Sequence, residues 1–134
     1  MPVPLMERLE AALNAHDVDA MLACMAEDYS SEQPAHPDRA FGGREQVREN
    51  WSAVFAGVAD FRSQLLRSSR DGDTVWAEWR WEGTQAGGEP MEMAGVVIAG
   101  LRDEQIAWMR LYVEPVEREG AGIEAAVRTM TGER

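Results

Sequence analysis

The sequence of 134 residues contains a single cysteine, Cys24, and only two histidines. One cysteine cannot form an intramolecular disulfide, and its scarcity indicates a reducing, cytoplasmic setting. The histidines, His16 and His36, lie far apart and have no paired ligand spacing, so we predict no metal site. A free cysteine behaves as a small hydrophobic residue, and we therefore expect Cys24 to pack inside the fold.

The chain also lacks a long apolar run and an excess of positive charge. No segment approaches the ~20 apolar residues that span a bilayer. The first residues have no basic region followed by an apolar stretch, so we expect neither a membrane span nor a signal peptide. The formal net charge is −11, which repels phosphate groups and anionic lipid. We therefore expect no nucleic-acid partner and no membrane partner.

The length is that of one domain. A chain of 134 residues buries roughly two-thirds of the surface that its unfolded form exposes, which is enough for a core. No repeat, linker or low-complexity segment divides it. We expect a single domain over residues 1–134.

The most informative stretch is 73–83, because its apolar and polar residues alternate. Side chains alternate across a strand, and the odd positions from Val75 to Trp81 are all apolar. One face of this strand therefore needs a cover and the other can meet water. Two large indoles on the covered face, Trp79 and Trp81, suit the wall of an apolar pocket.

Hydrophobic periodicity predicts an α+β fold. Helices are expected at residues 4–14, at 44–55, at 122–130, and from a cap at Asp17 or Asp19 to residues 27–28. Four consecutive antiparallel strands are expected at residues 61–69, 74–83, 91–101 and 105–114. A shorter strand at residues 29–33 should precede a rigid loop that contains Pro34 and Pro37.

The expected hairpins sort the meander into two faces. The uncharged face, which the helices should cover, collects Trp79, Trp81, Met93, Gly95, Val97, Met109, Leu111 and Val113. On the other face, Trp76, Ile98 and Trp108 are predicted to be cross-strand neighbours, as are Glu78, Val96 and Arg110. That outer face is left for solvent or for a partner subunit.

Three segments together resemble one superfamily. They are residues 26–29 (AEDY) after two helices, residues 41–47 (FGGREQV) at the entry to a third, and residues 106–114 (IAWMRLYVE) in the closing strand. The pattern is similar to the nuclear transport factor 2-like superfamily, which includes ketosteroid isomerase, limonene epoxide hydrolase and the SnoaL-like polyketide cyclases. The resemblance implies a cone-shaped, antiparallel-rich curved sheet wrapped by three N-terminal helices around an apolar pocket. It also implies a homodimer formed through the outer sheet face, with Trp76, Ile98 and Trp108 at the contact.

The catalytic carboxylates of two of these enzymes do not carry over. Gln33 stands before Pro34, where the resemblance to ketosteroid isomerase would place an aspartate. Leu111 stands where limonene epoxide hydrolase has an aspartate in its closing strand. Trp79 and Trp81 fall where that enzyme has an arginine and an aspartate.

The candidate catalytic residues are His36 and Glu32. Imidazole titrates near neutral pH without assistance, and Glu32 would act as a base or an acid if it faced an apolar cavity. The residues from Tyr29 to Gln33 alternate, so either Tyr29 and Gln33 or Glu32 can point inward. Further residues expected to bind substrate are apolar and could equally form core: Trp51, Phe55, Trp79, Trp81, Met93, Met109 and Leu111.

Two functions remain open at this level. The first is a cofactor-independent acid–base enzyme, a cyclase, isomerase or hydratase, that acts on a small apolar and possibly polycyclic carbonyl compound. In it, His36 or Glu32 would move the proton while Tyr29 and Gln33 hydrogen-bond the developing oxyanion. The alternative is a non-catalytic binding or accessory dimer with the same pocket.

Overall fold

The computed structural model describes residues 3–133 as an α+β fold. Its helices are α1 (Pro4–Asn14), α2 (Val18–Ala23), α3 (Arg44–Gly57) and α4 (Ile123–Thr131), with one 3-10 turn at Pro37–Arg39. Its strands are β1 (Met25–Glu32), β2 (Phe41–Gly42), β3 (Arg62–Asp71), β4 (Thr74–Thr84), β5 (Pro90–Arg102) and β6 (Gln105–Pro115). None of the helices within these residues has both the length and the apolar character that a membrane crossing requires.

The strands form one open sheet of six in the order β2-β1-β6-β5-β4-β3. The last four strands are the antiparallel meander that the alternation predicts. β1 returns beside β6 and runs parallel to it, whereas β2 pairs with β1 in the antiparallel sense. The mixed curved sheet carries α1 to α3 on one side, so the predicted cone is confirmed.

The core lies between the first three helices and the uncharged face of the meander. α1 contributes the five residues that recur at helical spacing, Leu5, Met6, Leu9, Ala12 and Leu13, and all are buried. On the sheet side Trp79 is 1% exposed, because odd positions of β4 point toward the helices. Cys24 packs in this core, as predicted.

The prediction for the second helix is wrong at its C-terminal end. Asp17 caps the helix as expected, since its side chain accepts a hydrogen bond from the Ala20 amide at 3.0 Å. The helix ends at Ala23, however, and β1 begins at Met25 instead of Tyr29. The Ile106 amide donates to the Cys24 carbonyl at 2.8 Å, so pairing with β6 overrides the local helical period.

The predicted register between β5 and β6 is also wrong, by two residues. Ile98 lies opposite Arg110, and Trp108 lies opposite Gly100 instead of Ile98. The hairpin closes through a two-residue turn in which Asp103 and Glu104 have positive φ of 54° and 57°. An irregularity follows between Gly100 and Leu101. A two-residue shift keeps every side chain on its predicted face, and the pairing of Trp76 with Ile98 is confirmed.

The same shift affects the second predicted group of neighbours. Val96 pairs with Glu78 on β4, as predicted, but lies opposite Tyr112 on β6 and not opposite Arg110. The Trp108 indole covers Gly100, where an added Cβ would lie 2.0 Å from its Nε1. Only glycine leaves room for that ring at this position.

Candidate functional site

A cavity of about 250 Å³ lies between the concave face of the sheet and the first three helices. Its walls are mostly apolar, with Leu9 and Leu13 from α1, Val47 and Val54 from α3, and Val97 from β5. Its polar lining residues are Tyr29, Ser31, Gln33 and Asn50. Among residues 3–133, no aspartate, glutamate, histidine, lysine or arginine lines it. The cavity is therefore an uncharged site with a few neutral hydrogen-bonding groups.

Most of the apolar residues predicted to bind substrate line this cavity. They are Trp51, Trp79, Trp81, Met93, Met109 and Leu111. Phe55 does not line it, because its ring stacks on His16 with centroids 4.4 Å apart and planes within 5°. Since His16 Nε2 donates a 2.8 Å hydrogen bond to the Phe61 carbonyl, the Phe55 ring packs against a fixed imidazole and belongs to the helix packing.

An aromatic cluster forms one wall of the cavity. The Trp51 ring meets Trp81 at a centroid distance of 5.3 Å and an angle of 88°, and it meets Phe61 at 5.4 Å and 77°. Edge-to-face pairs of this kind are favourable. α3 supplies Trp51 and β4 supplies Trp81, so the wall joins a helix to the sheet.

The parity question in β1 is answered by its pairing with β6. Ser31 lies beside the inward-facing Met109 and Glu32 lies beside Arg110. Tyr29 and Ser31 are accordingly buried, at 3% and 5% exposed. Glu32 is exposed to solvent on the other face and does not line the cavity. Its carboxylate therefore does not face the apolar space that the predicted acid–base role requires.

Gln33 stands at the rim of the cavity, at the end of β1. Its Oε1 accepts a hydrogen bond from Arg39 Nη1 at 2.9 Å. That bond fixes the orientation of the amide and leaves its NH₂ group free to donate. Gln33 thus offers a donor to an oxygen in the outer part of the cavity.

His36 does not line the cavity but lies in the loop directly after this rim. Its backbone amide donates to the Gln33 carbonyl at 2.7 Å, and the Arg39 amide donates to its carbonyl at 2.9 Å. The imidazole Nε2 lies 2.5 Å from Glu114 Oε1 on β6. A carboxylate in that position orients the imidazole ring.

Tyr29 is the one ionisable residue in the lining of the described cavity. Burial raises the pKa of its phenol to about 12, against a smaller lowering by a hydrogen bond from Ser31. The group is therefore a neutral hydrogen-bond donor over the physiological pH range. It can polarise a carbonyl oxygen but cannot act as a base there.

Sequence reasoning missed a polar residue of the lining, Asn50, and the partner of His36, Glu114. Asn50 lines the cavity from α3, three residues after Val47 and four before Val54, and this helical spacing is a signal that could have found it. Glu114 is not among the predicted site residues. Its contact with His36 spans 78 positions, and no local pattern predicts it.

Comparison with known proteins supports the fold that forms this cavity. The family model of the SnoaL-like domain matches residues 6–109. No curated protein is a significant match.

Several solved structures share the fold. One is a hypothetical protein from Catenulispora acidiphila with a ketosteroid isomerase-like fold, in complex with trimethylamine. It has 20% identity and a TM-score of 0.73, over 82% of this chain and 85% of that one. Another is IdmH from Streptomyces antibioticus, provisionally assigned as a polyketide cyclase, at 21% identity and a TM-score of 0.72 over 83% and 90%. A SnoaL-like protein from Jannaschia matches at 20% identity and a TM-score of 0.71 over 98% and 92%.

The pKa of Tyr29 predicts how stability falls in alkali. Its folded-state pKa of about 12 lies above the ordinary tyrosine pKa of 10.0. The stability that the neutral phenol contributes is therefore full below pH 10 and is lost as pH rises toward 12. The loss should reach roughly 2–3 kcal/mol. Urea unfolding from pH 9 to 12 should show this decline in the wild type and not in Tyr29→Phe. If the free energy of unfolding falls equally with pH in the two proteins, the buried, neutral phenol is contradicted.

Proposed function

Since the chain belongs to the SnoaL-like domain family, we propose that its cavity binds a small, largely apolar compound that carries a carbonyl or hydroxyl oxygen. The observation that carries the proposal is the lining: apolar and aromatic on most sides, with Tyr29, Ser31, Gln33 and Asn50 as its polar groups. Pockets for organic ligands have this composition, in which a few placed polar groups set the orientation.

The neutrality and the size of the cavity restrict the ligand. Transferring an ion into an apolar site without a counter-charge is unfavourable, so the buried part of the ligand is uncharged. The volume of about 250 Å³ lies just below the ~300–1,000 Å³ of typical ligand pockets. A molecule of one or two rings fits this space better than a large polycyclic one.

The ligand oxygen is expected to lie against β1. Tyr29 supplies a phenol donor whose neighbour Ser31 is also buried, and Gln33 supplies its free NH₂ group at the rim. Two donors on one oxygen stabilise negative charge that develops there. The same contacts orient a ligand when no reaction follows.

Binding can be tested by a thermal-shift and tryptophan-fluorescence screen of compact ketones, terpenoids and small polyketide-like phenols. A ligand in the cavity should raise the Tm and change the emission of Trp51 or Trp81, which line it. Leu111→Trp should abolish both signals because its indole fills the cavity. Tyr112→Trp, the adjacent residue on the exposed outer face, is the matched control and should bind normally.

Tyr29→Phe should weaken the same ligand about three- to tenfold, the range expected from loss of one net hydrogen bond. Equal binding by wild type and Leu111→Trp would contradict the proposed site.

Acid–base conversion of the ligand is a second candidate, favoured by the His36–Glu114 contact of 2.5 Å beside Gln33. A ring that donates from Nε2 to Glu114 leaves Nδ1 as a base. Such a base can take a proton next to a ligand carbonyl only where the ligand extends past Gln33 toward this loop. Cyclisation, isomerisation and hydration all proceed by proton transfers of this kind. Glu32, on the outer face, has no part in this arrangement.

His36→Gln should abolish turnover of a bound ligand while changing its Kd less than threefold, because His36 lies outside the lining. Glu114→Gln should lower kcat about 10- to 100-fold, since the carboxylate acts through the imidazole. Glu32→Gln is the control and should keep wild-type kcat. If every bound compound is recovered chemically unchanged after incubation with the wild-type protein, catalysis is contradicted and the protein is a binding protein.

We also propose a homodimer through the outer face of the sheet. Trp76, Val96 and Tyr112 are 41%, 36% and 41% exposed on that face. Trp76 pairs with the half-buried Ile98 across β4 and β5. Exposed aromatic groups this close together are typical of protein–protein contacts.

Trp76→Glu should convert the dimer to a monomer in analytical ultracentrifugation, because a charge would lie in the apolar contact. Ile123→Glu is the control, since Ile123 is an exposed apolar residue on α4, 78% exposed and away from the sheet. Dissociation by Ile123→Glu alone would place the contact on α4. A monomeric wild type at high concentration would contradict the dimer.

A further inference from the structure

Two polar atoms on the β3–β4 side of the fold have no hydrogen-bond partner. Within residues 3–133, Trp81 Nε1 and Ser63 Oγ are the buried side-chain atoms in this state. Ser63 and Trp81 are direct cross-strand partners, and both are buried, at 4% and 9% exposed. Their side chains share the inward face, where such partners have Cβ atoms about 5 Å apart.

Neither atom is satisfied by its protein neighbours. Indole N–H only donates, and the Trp51 ring packed edge-to-face against Trp81 offers at most a weak π acceptor. The Asn14 amide beside Ser63 donates to the Ser63 carbonyl at 3.0 Å and accepts from the Ser63 amide at 2.7 Å, and it makes no hydrogen bond to Ser63 Oγ. Native folds contain few unpaired buried donors, and each calls for an explanation.

We propose that Trp81 Nε1 is a second polar subsite of the cavity, which receives a second hydrogen-bond acceptor of the ligand. Trp81 lines the cavity and donates to that acceptor. Ser63 is the cross-strand neighbour of this indole but does not itself line the cavity. This inference rests on the proposed binding function and names the class of ligand.

Access to the indole N–H requires a small rearrangement. The atom has almost no exposed surface, so a neighbouring side chain must move before an acceptor can reach it. Met93 is the cross-strand partner of Trp81 on β5 and also lines the cavity. Methionine is unbranched and adapts easily to a new neighbour, so Met93 can turn aside without a shift of the backbone.

The position of the subsite defines the shape of the ligand. Tyr29 and Ser31 are on β1, Trp81 is on β4, and β6 and β5 lie between these strands. Three strand spacings of ~4.8 Å give about 14 Å along the sheet, and less across its concave side. The matching ligand is elongated and neutral, with one oxygen function at each end, such as a diketone or a hydroxyketone.

A matched pair of probes tests this inference. 4-Cyclohexylcyclohexanone and bicyclohexyl-4,4′-dione share one carbon skeleton and differ by a single carbonyl. The dione should bind the wild type about three- to tenfold more tightly, the range expected for one net hydrogen bond. Trp81→Phe should remove this advantage, whereas Trp51→Phe, which alters the same aromatic wall, should keep it. Tyr29→Phe should weaken both ketones.

A second measurement does not depend on the folding of Trp81→Phe. The five tryptophans give separate indole signals in a ¹⁵N-correlated NMR spectrum, which Trp→Phe variants assign directly or by elimination. The Trp81 signal should move downfield with the dione and stay nearly unchanged with the monoketone.

Equal affinities for the two ketones, or an unmoved Trp81 signal with bound dione, would overturn the subsite and leave the proposed binding function intact. Absence of binding by either ketone, with no effect of Leu111→Trp on any ligand, would overturn the binding function itself.

Discussion

The burial of Trp79 beneath the first three helices is the contact on which the rest of the structure depends. The residue is 1% exposed and lies in the middle of β4, between Leu65 on β3 and Gly95 on β5. Gly95 has no side chain, and the neighbouring strand β6 passes close to it. A Cβ added to Gly95 would lie 2.0 Å from the Tyr112 carbonyl oxygen. A one-residue slip of β4 would move this indole to solvent. Its position therefore fixes which face of every strand in the meander points inward.

The cavity and the outer apolar face both follow from that parity. With Trp79 inward, Trp81 two residues later must also face the helices, where it meets Trp51 edge to face. Both indoles line the cavity between the sheet and the helices. Trp76, of the opposite parity, is left 41% exposed. The same alternation thus produces both the cavity that is proposed to bind a small molecule and the outer face that is proposed to contact a second subunit.

The strands, the faces and most of the cavity lining could be predicted because they depend on period-two alternation, which the sequence carries locally. β1 was harder, since its true start at Met25 depends on pairing with Ile106, and no local pattern encodes that partner. The prediction of the β5–β6 register was wrong for a related reason. Asp103 and Glu104 adopt positive φ, and this conformation cannot be predicted from their residue types. The His36–Glu114 contact is the clearest limit, because it joins two loop-proximal side chains that only the complete sheet brings together.

The distribution of charge makes the two ends of the cavity different. Its lining is neutral, while the titratable pair of His36 and Glu114 lies at the rim, tied to Gln33 by a 2.7 Å backbone hydrogen bond. Under the proposed function, a proton transfer would therefore occur at the end of the ligand near Gln33. The opposite end would meet the Trp81 indole, which neither gains nor loses a proton and so only holds the ligand in place. The proposal thus assigns chemistry and recognition to opposite ends of one molecule, and changing the end near Trp81 should affect affinity before it affects rate.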